Sequence, residues 1–194
     1  MKKNIIISVI VLLVLITITG CITKKDNSNN TNSTSKTEEN SNTVVLYFSA
    51  TGNTKSIAKR IAKESNSDII EIIPKEKYKS EDLDYNSDCR ANREQNDSTA
   101  RPEIKNKIDI SKYDTIYLGY PIWWGTNPKI ILTLLDTYDF NGKTIIPFCT
   151  SGSSDISKSV NDLRDYKSNL TIKDGKRFSS TDSDKEIKEF VNNN

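Results

Sequence analysis

The stretch that decides the fold runs from Val44 to Lys55 and reads Val-Val-Leu-Tyr-Phe-Ser-Ala-Thr-Gly-Asn-Thr-Lys. Its first part, Val44–Phe48, favours β structure without polar alternation, which predicts a strand buried on both faces in a parallel sheet. The apolar spacing that follows, Ile57–Ala62, predicts a packed helix. The hydroxyl-rich segment between them precedes that helix, where free backbone N–H groups and the helix dipole favour an anion. This order is typical of an α/β protein that binds phosphate.

The first loop lacks the features of a loop that transfers phosphate. No lysine precedes the helix, and the spacing is neither G-x-x-x-x-G-K-[ST] nor G-x-G-x-x-G. The hydroxyls of Ser49, Thr51 and Thr54 suit a monophosphate that stays bound. The alternative is an ordinary strand and helix joined by an incidental Thr-Gly-Asn-Thr turn.

A second loop, Pro121–Pro128, follows a predicted strand and holds both tryptophans of the chain, Trp123 and Trp124. Each indole ring offers on the order of 150–250 Å² of surface. We expect the pair to cover a flat ligand, with one of the two packing against the next helix.

A third loop, Thr150–Ser154, follows the strand predicted at Thr144–Phe148 and is also small and hydroxylated. In an open parallel sheet, ligands bind outside the carboxyl ends of the strands, so the three loops should converge. Pro147 lies inside the predicted strand and indicates a bulge or a displaced strand end there.

Taken together, the three loops resemble those of the flavodoxin family. Ser49-x-Thr51-Gly52-Asn53-Thr54 resembles the loop that binds the 5′-phosphate of FMN, and Tyr120-Pro-Ile-Trp-Trp-Gly125 resembles the loop that cradles the isoalloxazine ring. The resemblance implies an α/β fold with a doubly wound five-stranded parallel sheet of order 2-1-3-4-5, helices on both faces, and FMN as cofactor. The residues that it assigns to FMN are Ser49, Thr51, Gly52, Asn53, Thr54, Tyr120, Pro121, Ile122, Trp123, Trp124, Gly125, Thr150, Ser151, Gly152 and Ser153. The third loop departs from the family pattern because it carries no aromatic residue, so one face of the ring is open or covered by the insertion at 75–111.

One segment, Lys75–Ser111, is longer than an ordinary connection between a strand and the next strand of such a sheet. It is interpreted either as a cover near the cofactor or as a solvated surface excursion. The predicted strands are 44–48, 68–73, 115–120, 144–148 and 170–172. The predicted helices are 54–65, 128–138, 155–166 and 182–191, with a further helix at 88–95 inside the long segment.

The N-terminal region has the features of an export signal. Two lysines precede an apolar run, Asn4–Ile18, that is too short to span a membrane. Ile18-Thr19-Gly20-Cys21 resembles the bacterial lipobox. We therefore predict a lipoprotein signal peptide at 1–20, a lipidated Cys21 with a disordered tether at 21–42, and a flavodoxin-like domain at 43–194. Plain secretory cleavage and an uncleaved anchor are the alternatives.

Composition narrows the classes of function. The chain has 28 Lys and Arg, 26 Asp and Glu, and no histidine. Removing the five lysines and three acidic residues of the first 42 positions leaves 23 of each sign, so the predicted domain gives no case for nucleic acid. The lack of histidine excludes a Ser–His–Asp triad and any histidine metal site. Cys89 and Cys149 either pair outside the cytoplasm or act as small buried hydrophobic residues.

These observations favour a monomeric, FMN-binding electron-transfer protein, held on the extracytoplasmic face of the bacterial membrane by lipid on Cys21. Its redox partner would be a protein or a small acceptor that the sequence does not identify, and no catalytic or metal-ligating residue is assigned. The alternative is an FMN-dependent reductase of quinone-like or other small acceptors that uses NAD(P)H. A third hypothesis is a flavin-free binding lipoprotein on the same scaffold.

Overall fold

The computed structural model describes residues 42–194, so the predicted signal peptide, Cys21 and nearly all of the tether lie outside the described residues. Within that range a six-stranded sheet has the order β2-β1-β3-β4-β5, and β6 also pairs with β4. The strands are β1 (Thr43–Tyr47), β2 (Asp68–Glu71), β3 (Thr115–Pro121), β4 (Thr144–Thr150), β5 (Thr171–Ile172) and β6 (Lys176–Phe178). The helices are α1 (Asn53–Glu64), α2 (Arg90–Asn96), α3 (Lys129–Thr137), α4 (Ser157–Tyr166) and α5 (Asp184–Asn192), with a 3-10 turn at Ser80–Leu83. The predicted doubly wound fold and strand order are confirmed.

Helices cover both faces of the sheet because successive residues of its central strands point to opposite sides. In β1, Val44 and Leu46 belong to the apolar cluster that contains the buried residues of α3 and α4. Val45 and Tyr47 belong to the cluster on the other face, with the buried residues of α1 and α5. Val44, Val45 and Leu46 are fully buried, which explains the uninterrupted apolar run in the sequence. No helix within residues 42–194 is long and apolar enough to cross a membrane.

The prediction of a bulge or a displaced strand end at Pro147 is wrong. Pro147 lies in regular parallel register opposite Leu118 of β3. On the other side of β4, β5 pairs only as far as Ile145 and β6 starts at Phe148. The carbonyl of Ile145 accepts a hydrogen bond from that other side, and Pro147, two residues on, faces the same way. The missing N–H of the proline therefore falls in the gap between β5 and β6, where no ladder bond is lost.

The sixth strand, β6, is a correction to the predicted five-stranded sheet. Gly175, with φ of +73°, turns the chain between β5 and β6, and a Cβ atom there would lie 2.3 Å from the carbonyl oxygen of Pro147. A glycine is thus needed both for the backbone angle and for the close approach. The three residues after it, Lys176–Phe178, are too few to give a periodic signal in the sequence.

The long segment Lys75–Ser111 is not a solvated excursion. Four of its residues, Cys89, Ala91, Ile108 and Ile110, are buried in the core. Its returning part runs beside the end of β2, where Ile104 pairs with Pro74, the N–H of Lys105 donates to the Ile73 carbonyl at 2.7 Å, and the Asn106 amide donates to the Glu71 carbonyl at 2.8 Å. These contacts shield an edge strand whose backbone would otherwise be open to pairing with other chains.

Gly119, in β3, is predicted to tolerate no side chain without a loss of stability. It pairs with Phe148 across β3 and β4, and a Cβ atom at Gly119 would lie 2.2 Å from the Cζ atom of the fully buried Phe148 ring. We expect Gly119→Ala to lower the free energy of unfolding by about 3 kcal/mol, measured by urea titration. Gly142→Ala is the matched control, since it has φ of +74° and open space around it, and should cost about 1 kcal/mol. Equal losses in the two variants would contradict the packing argument.

Candidate functional site

A cleft of ≈ 390 Å³ lies at the carboxyl ends of the central strands. All three predicted loops contribute to it, as do the long segment and the turn after β6. Its lining residues are Thr51, Asn53, Leu83, Tyr85, Pro121, Ile122, Trp123, Thr150, Ser151, Gly152, Ser179 and Ser180. Seven residues predicted for the site do not line it: Ser49, Gly52, Thr54, Tyr120, Trp124, Gly125 and Ser153.

The first loop forms the polar end of this cleft. Gly52 is the N-cap of α1 with φ of +94°, and its N–H donates to the Ser49 hydroxyl at 3.1 Å. No side chain caps α1, and no acidic residue lies in its first turn. The first backbone N–H groups of a helix have no partner within it, so this end has donors and a favourable dipole for a dianion. Thr51 and Asn53 add a hydroxyl and an amide at the same place.

The hydroxyl of Thr54, which is predicted to bind the phosphate, makes a hydrogen bond within the protein. Thr54 is 1% exposed, and its Oγ1 atom lies 2.8 Å from the Oγ1 atom of Thr150 in a buried hydrogen bond. The pair joins the start of α1 to the end of β4. Since Thr150 itself lines the cleft, this bond fixes the first and third loops relative to each other.

The second loop contains a tight turn that separates the two tryptophans. The N–H of Trp123 donates to the Thr126 carbonyl at 2.9 Å and the N–H of Thr126 donates back at 3.0 Å. The two residues between them have positive φ, +50° at Trp124 and +77° at Gly125, as in a type I′ turn. The left-handed angle is ordinary for Gly125 and uncommon for a tryptophan.

This turn gives the two rings different environments. Trp123 is buried, yet it lines the cleft, and its ring makes edge contacts with Phe48 at 5.6 Å and Tyr78 at 5.0 Å between centroids. Trp124 is 38% exposed and does not line the cleft. One of the two is expected to pack against the next helix. Trp123 is buried in the same apolar cluster as the buried residues of α3, but its ring contacts come from Phe48 of the first loop and Tyr78 of the long segment.

A partly buried polar network fixes the aromatic ring behind Trp123. The Tyr78 hydroxyl donates to Glu94 Oε2 at 2.5 Å, and Arg90 Nε donates to Glu94 Oε1 at 2.6 Å. The guanidinium of Arg90 also lies over the Tyr78 ring at 4.2 Å from its centroid. Burial and the neighbouring Glu94 carboxylate raise the pKa of Tyr78, so its hydroxyl stays a donor. The network therefore holds Tyr78 neutral and in place.

Gln95, on α2, connects the long segment to the second loop. Its Nε2 atom donates to the carbonyls of Trp123 at 3.2 Å and Asn127 at 3.3 Å, and its Oε1 atom accepts from the N–H of Lys129 at 3.1 Å. One side chain thus forms hydrogen bonds with two carbonyl groups of the second loop and with the first N–H of α3. This role could not be predicted from the sequence, because Gln95 is a polar side chain in a polar segment and no pattern distinguishes it.

The third loop supplies small groups to the cleft. Ser151 and Gly152 line it, and the Arg177 guanidinium of β6 donates to the Ser151 carbonyl at 3.1 Å. Cys149 precedes this loop and is buried with no disulfide, as is Cys89. Burial raises the pKa of the Cys149 thiol to about 12, so it is a neutral packing group at physiological pH.

Tyr120, at the end of β3, also faces away from the cleft. Its side chain is fully buried, and its hydroxyl accepts a hydrogen bond from Ser159 of α4 at 3.0 Å. Tyr120 therefore connects the start of the second loop to α4. The lining residues that sequence analysis missed are Leu83, Tyr85, Ser179 and Ser180, all from segments without a recognisable motif.

Comparison with solved structures gives relatives that match nearly their whole length. A candidate flavoprotein from Bacteroides uniformis is 39% identical with a TM-score of 0.76, covering 78% of this chain and 98% of its own. One from Bacteroides eggerthii is 38% identical with a TM-score of 0.75, covering 79% and 97%. A flavoprotein from Lactobacillus acidophilus, solved in complex with FMN, is 26% identical with a TM-score of 0.59, covering 76% and 97%. No protein of curated function matches the chain.

The family comparison agrees with the fold and with the three loops. A family model described as Flavodoxin matches residues 42–194, which is the whole of the part that the structure describes. The strand order, the loop at the N-terminus of α1 and the tryptophan-bearing loop after β3 all lie within this match. The chain therefore belongs to the flavodoxin family.

Proposed function

We propose that this protein binds FMN in the cleft at the carboxyl ends of β1, β3 and β4 and acts as an electron-transfer flavoprotein. The observation that carries the proposal is that one cleft joins a polar end at α1 to an aromatic end at Trp123. FMN has the same two parts, a terminal phosphate and a flat ring. The Lactobacillus acidophilus relative, which was solved with FMN, supports the same assignment.

The residues fit this cofactor in charge and in chemistry. Thr51, Asn53 and the uncapped start of α1 would bind the phosphate without a side-chain cation. Trp123 and Ile122 would border the ring, and the backbone of Ser151 and Gly152 would reach its polar edge. Bound FMN would supply one-electron and two-electron transfer. The chain's own contribution is to orient the ring, exclude water from the Trp123 side and keep acidic side chains away from the phosphate.

We also propose a cellular location for the protein. Lipid on Cys21 would hold the protein on the extracytoplasmic face of the bacterial membrane, with a polar segment of the sequence, 22–42, between the lipid and β1. The support for this comes from the sequence alone, from the lipobox-like Ile18–Cys21 and the apolar run before it. The redox partner would be a protein or a small acceptor that meets the exposed side of the cleft.

An absorption spectrum of the purified protein, with quantification of the released flavin, tests the main proposal. One FMN per chain is expected, and protein that takes up no FMN would overturn it. The reductase alternative is tested by adding NADH or NADPH with a soluble quinone. An electron carrier should show no sustained consumption of the nicotinamide, whereas a reductase should turn over many equivalents per chain.

Removing side chains from the polar end should weaken FMN much more than riboflavin. Thr51→Ala combined with Asn53→Ala removes two donors to a dianion, each worth about 1.5–3 kcal/mol. We therefore expect the Kd of FMN to rise by about 100-fold or more. Riboflavin, which has no phosphate, should bind with an unchanged Kd. Both values can be measured by quenching of flavin fluorescence.

Ser56→Ala is the matched control for this experiment. Ser56 lies on the same helix, is exposed and does not line the cleft, so its variant should bind both flavins like the native protein. A double variant that loses FMN and riboflavin to the same extent would mean that the first loop does not bind the phosphate.

Cys21→Ser should abolish lipid attachment. The thiol of Cys21 is the acceptor for lipid in the predicted lipobox, and a serine hydroxyl does not replace it. We expect a labelled fatty acid to enter the native protein in a bacterial host and to be absent from the variant. Cys149→Ser is the control, because Cys149 lies in the core and should not affect labelling. Label retained in Cys21→Ser would contradict the proposed anchor.

A further inference from the structure

Tyr85 is an unusual residue of the long segment because it is a large aromatic side chain left 57% exposed. It lines the same cleft as Trp123, although the two are far apart in the sequence. Its backbone is held in place, since the Asn92 side chain on α2 donates to the Tyr85 carbonyl at 3.4 Å. Asp84, the preceding residue, accepts from the N–H of Asn86 at 3.1 Å. The backbone that carries the ring is thus held by one contact with α2 and one local turn.

Trp124 lies against Tyr85, not against the cleft. The two ring centroids are 4.5 Å apart with an angle of 42° between the planes. Within residues 42–194 the exposed large hydrophobic residues are Ile69, Tyr85 and Trp124, and two of these three contact each other at this one place. A centroid distance of 4.5 Å leaves no room for another ring between them. A flat ligand in the cleft would therefore meet Tyr85, with Trp124 behind it.

The third loop does not provide an aromatic cover of its own. Ser151 and Gly152 line the cleft there, and no aromatic residue occurs between Thr150 and Ile156. The aromatic side chains on the lining are Trp123 and Tyr85. Trp123 is supported by Phe48 and Tyr78, and Tyr85 is supported by Trp124, so each ring has an aromatic ring behind it.

We propose that Tyr85, from the segment between β2 and β3, is the second aromatic contact of the isoalloxazine ring, and that Trp124 is a positioning residue that holds Tyr85 against it. This inference rests on the proposed function, because it assumes that the flat group in the cleft is a flavin. It assigns the cover to the long segment, and it removes Trp124 from direct contact with the ring.

A double-mutant cycle on flavin binding tests both roles. The variants are Tyr85→Leu, Trp124→Leu and the double variant, with Tyr85→Phe as the conservative substitution and Ile69→Ala as an exposed apolar control on β2. The measurements are the Kd of FMN, the Kd of riboflavin and the fluorescence of the bound flavin, which stacking on tyrosine quenches. The folding of each variant is checked by the midpoint of its urea unfolding, which should hardly move since both side chains are exposed.

For Tyr85→Leu we expect the Kd of both flavins to rise by the same factor, about 5- to 10-fold, and the bound flavin to become more fluorescent. Tyr85→Phe should stay within about twofold of the native protein, and Ile69→Ala should not differ from it. Trp124→Leu should weaken binding by about 3-fold, and the double variant should bind no more weakly than Tyr85→Leu, because Trp124 acts through Tyr85.

Two outcomes would overturn the inference while leaving the proposed function intact. One is native affinity for both flavins in Tyr85→Leu. The other is a double variant whose loss is the product of the two single losses, since that would put Trp124 in independent contact with the ring. Failure of the native protein to bind any flavin would instead overturn the proposed function itself.

Discussion

The in-line parallel pairing of β1, β3 and β4 is the constraint on which the rest of the structure depends. Thr43 pairs with Thr115 and Thr115 pairs with Thr144, so the three strands begin level with one another. The pairing continues past the strand ends, where the N–H of Phe48 donates to the Gly119 carbonyl at 2.9 Å and the N–H of Ile122 donates to the Thr150 carbonyl at 3.0 Å. The three loops therefore leave the sheet side by side, and none needs a long excursion to reach a common ligand.

The parts of the fold that follow from hydrophobic pattern could be predicted from the sequence. The buried strands β1, β3 and β4 and the helices α1, α3, α4 and α5 have strong periodic or continuous apolar signals, and their predicted bounds differ from the observed ones by no more than a few residues. The strand order came from family resemblance. The place of Pro147 in the sheet could not be predicted because pairing partners are not visible in one sequence, and β6 could not be predicted because it is three residues long.

The candidate site, like the fold, could be predicted only in part from the sequence. The first loop could be predicted to bind an anion because hydroxyls and a glycine before a helix place hydrogen-bond donors at its N-terminus. The direction in which each side chain points could not be predicted from the sequence. It depends on tertiary contacts such as the Thr54–Thr150 hydrogen bond, and on the type I′ turn that separates Trp123 from Trp124. Gln95 and Tyr85 act only because the long segment packs back on the loops, and nothing in their local sequence reports that packing.

The two ends of the cleft are held in place by different parts of the structure. Its polar end belongs to α1, whose helical backbone is rigid and whose first N–H groups are set by the helix itself. Its aromatic end is assembled from three separate segments held by side-chain hydrogen bonds, among them the Tyr78–Glu94–Arg90 network. The positions of the groups at the polar end are therefore set by backbone geometry. The positions of the rings at the aromatic end depend on packing.

The long segment Lys75–Ser111 contacts the cleft with one part and the end of β2 with another. Proteins open locally in cooperative units, and the amides of a unit exchange with solvent at a rate set by the free energy of that opening. An opening that detaches this segment would expose the cleft wall at Tyr85 together with the Ile73–Lys105 hydrogen bond beside β2. A ligand that keeps the wall closed would then slow amide exchange at the sheet edge, a region that it does not touch, and would protect that edge from pairing with other chains.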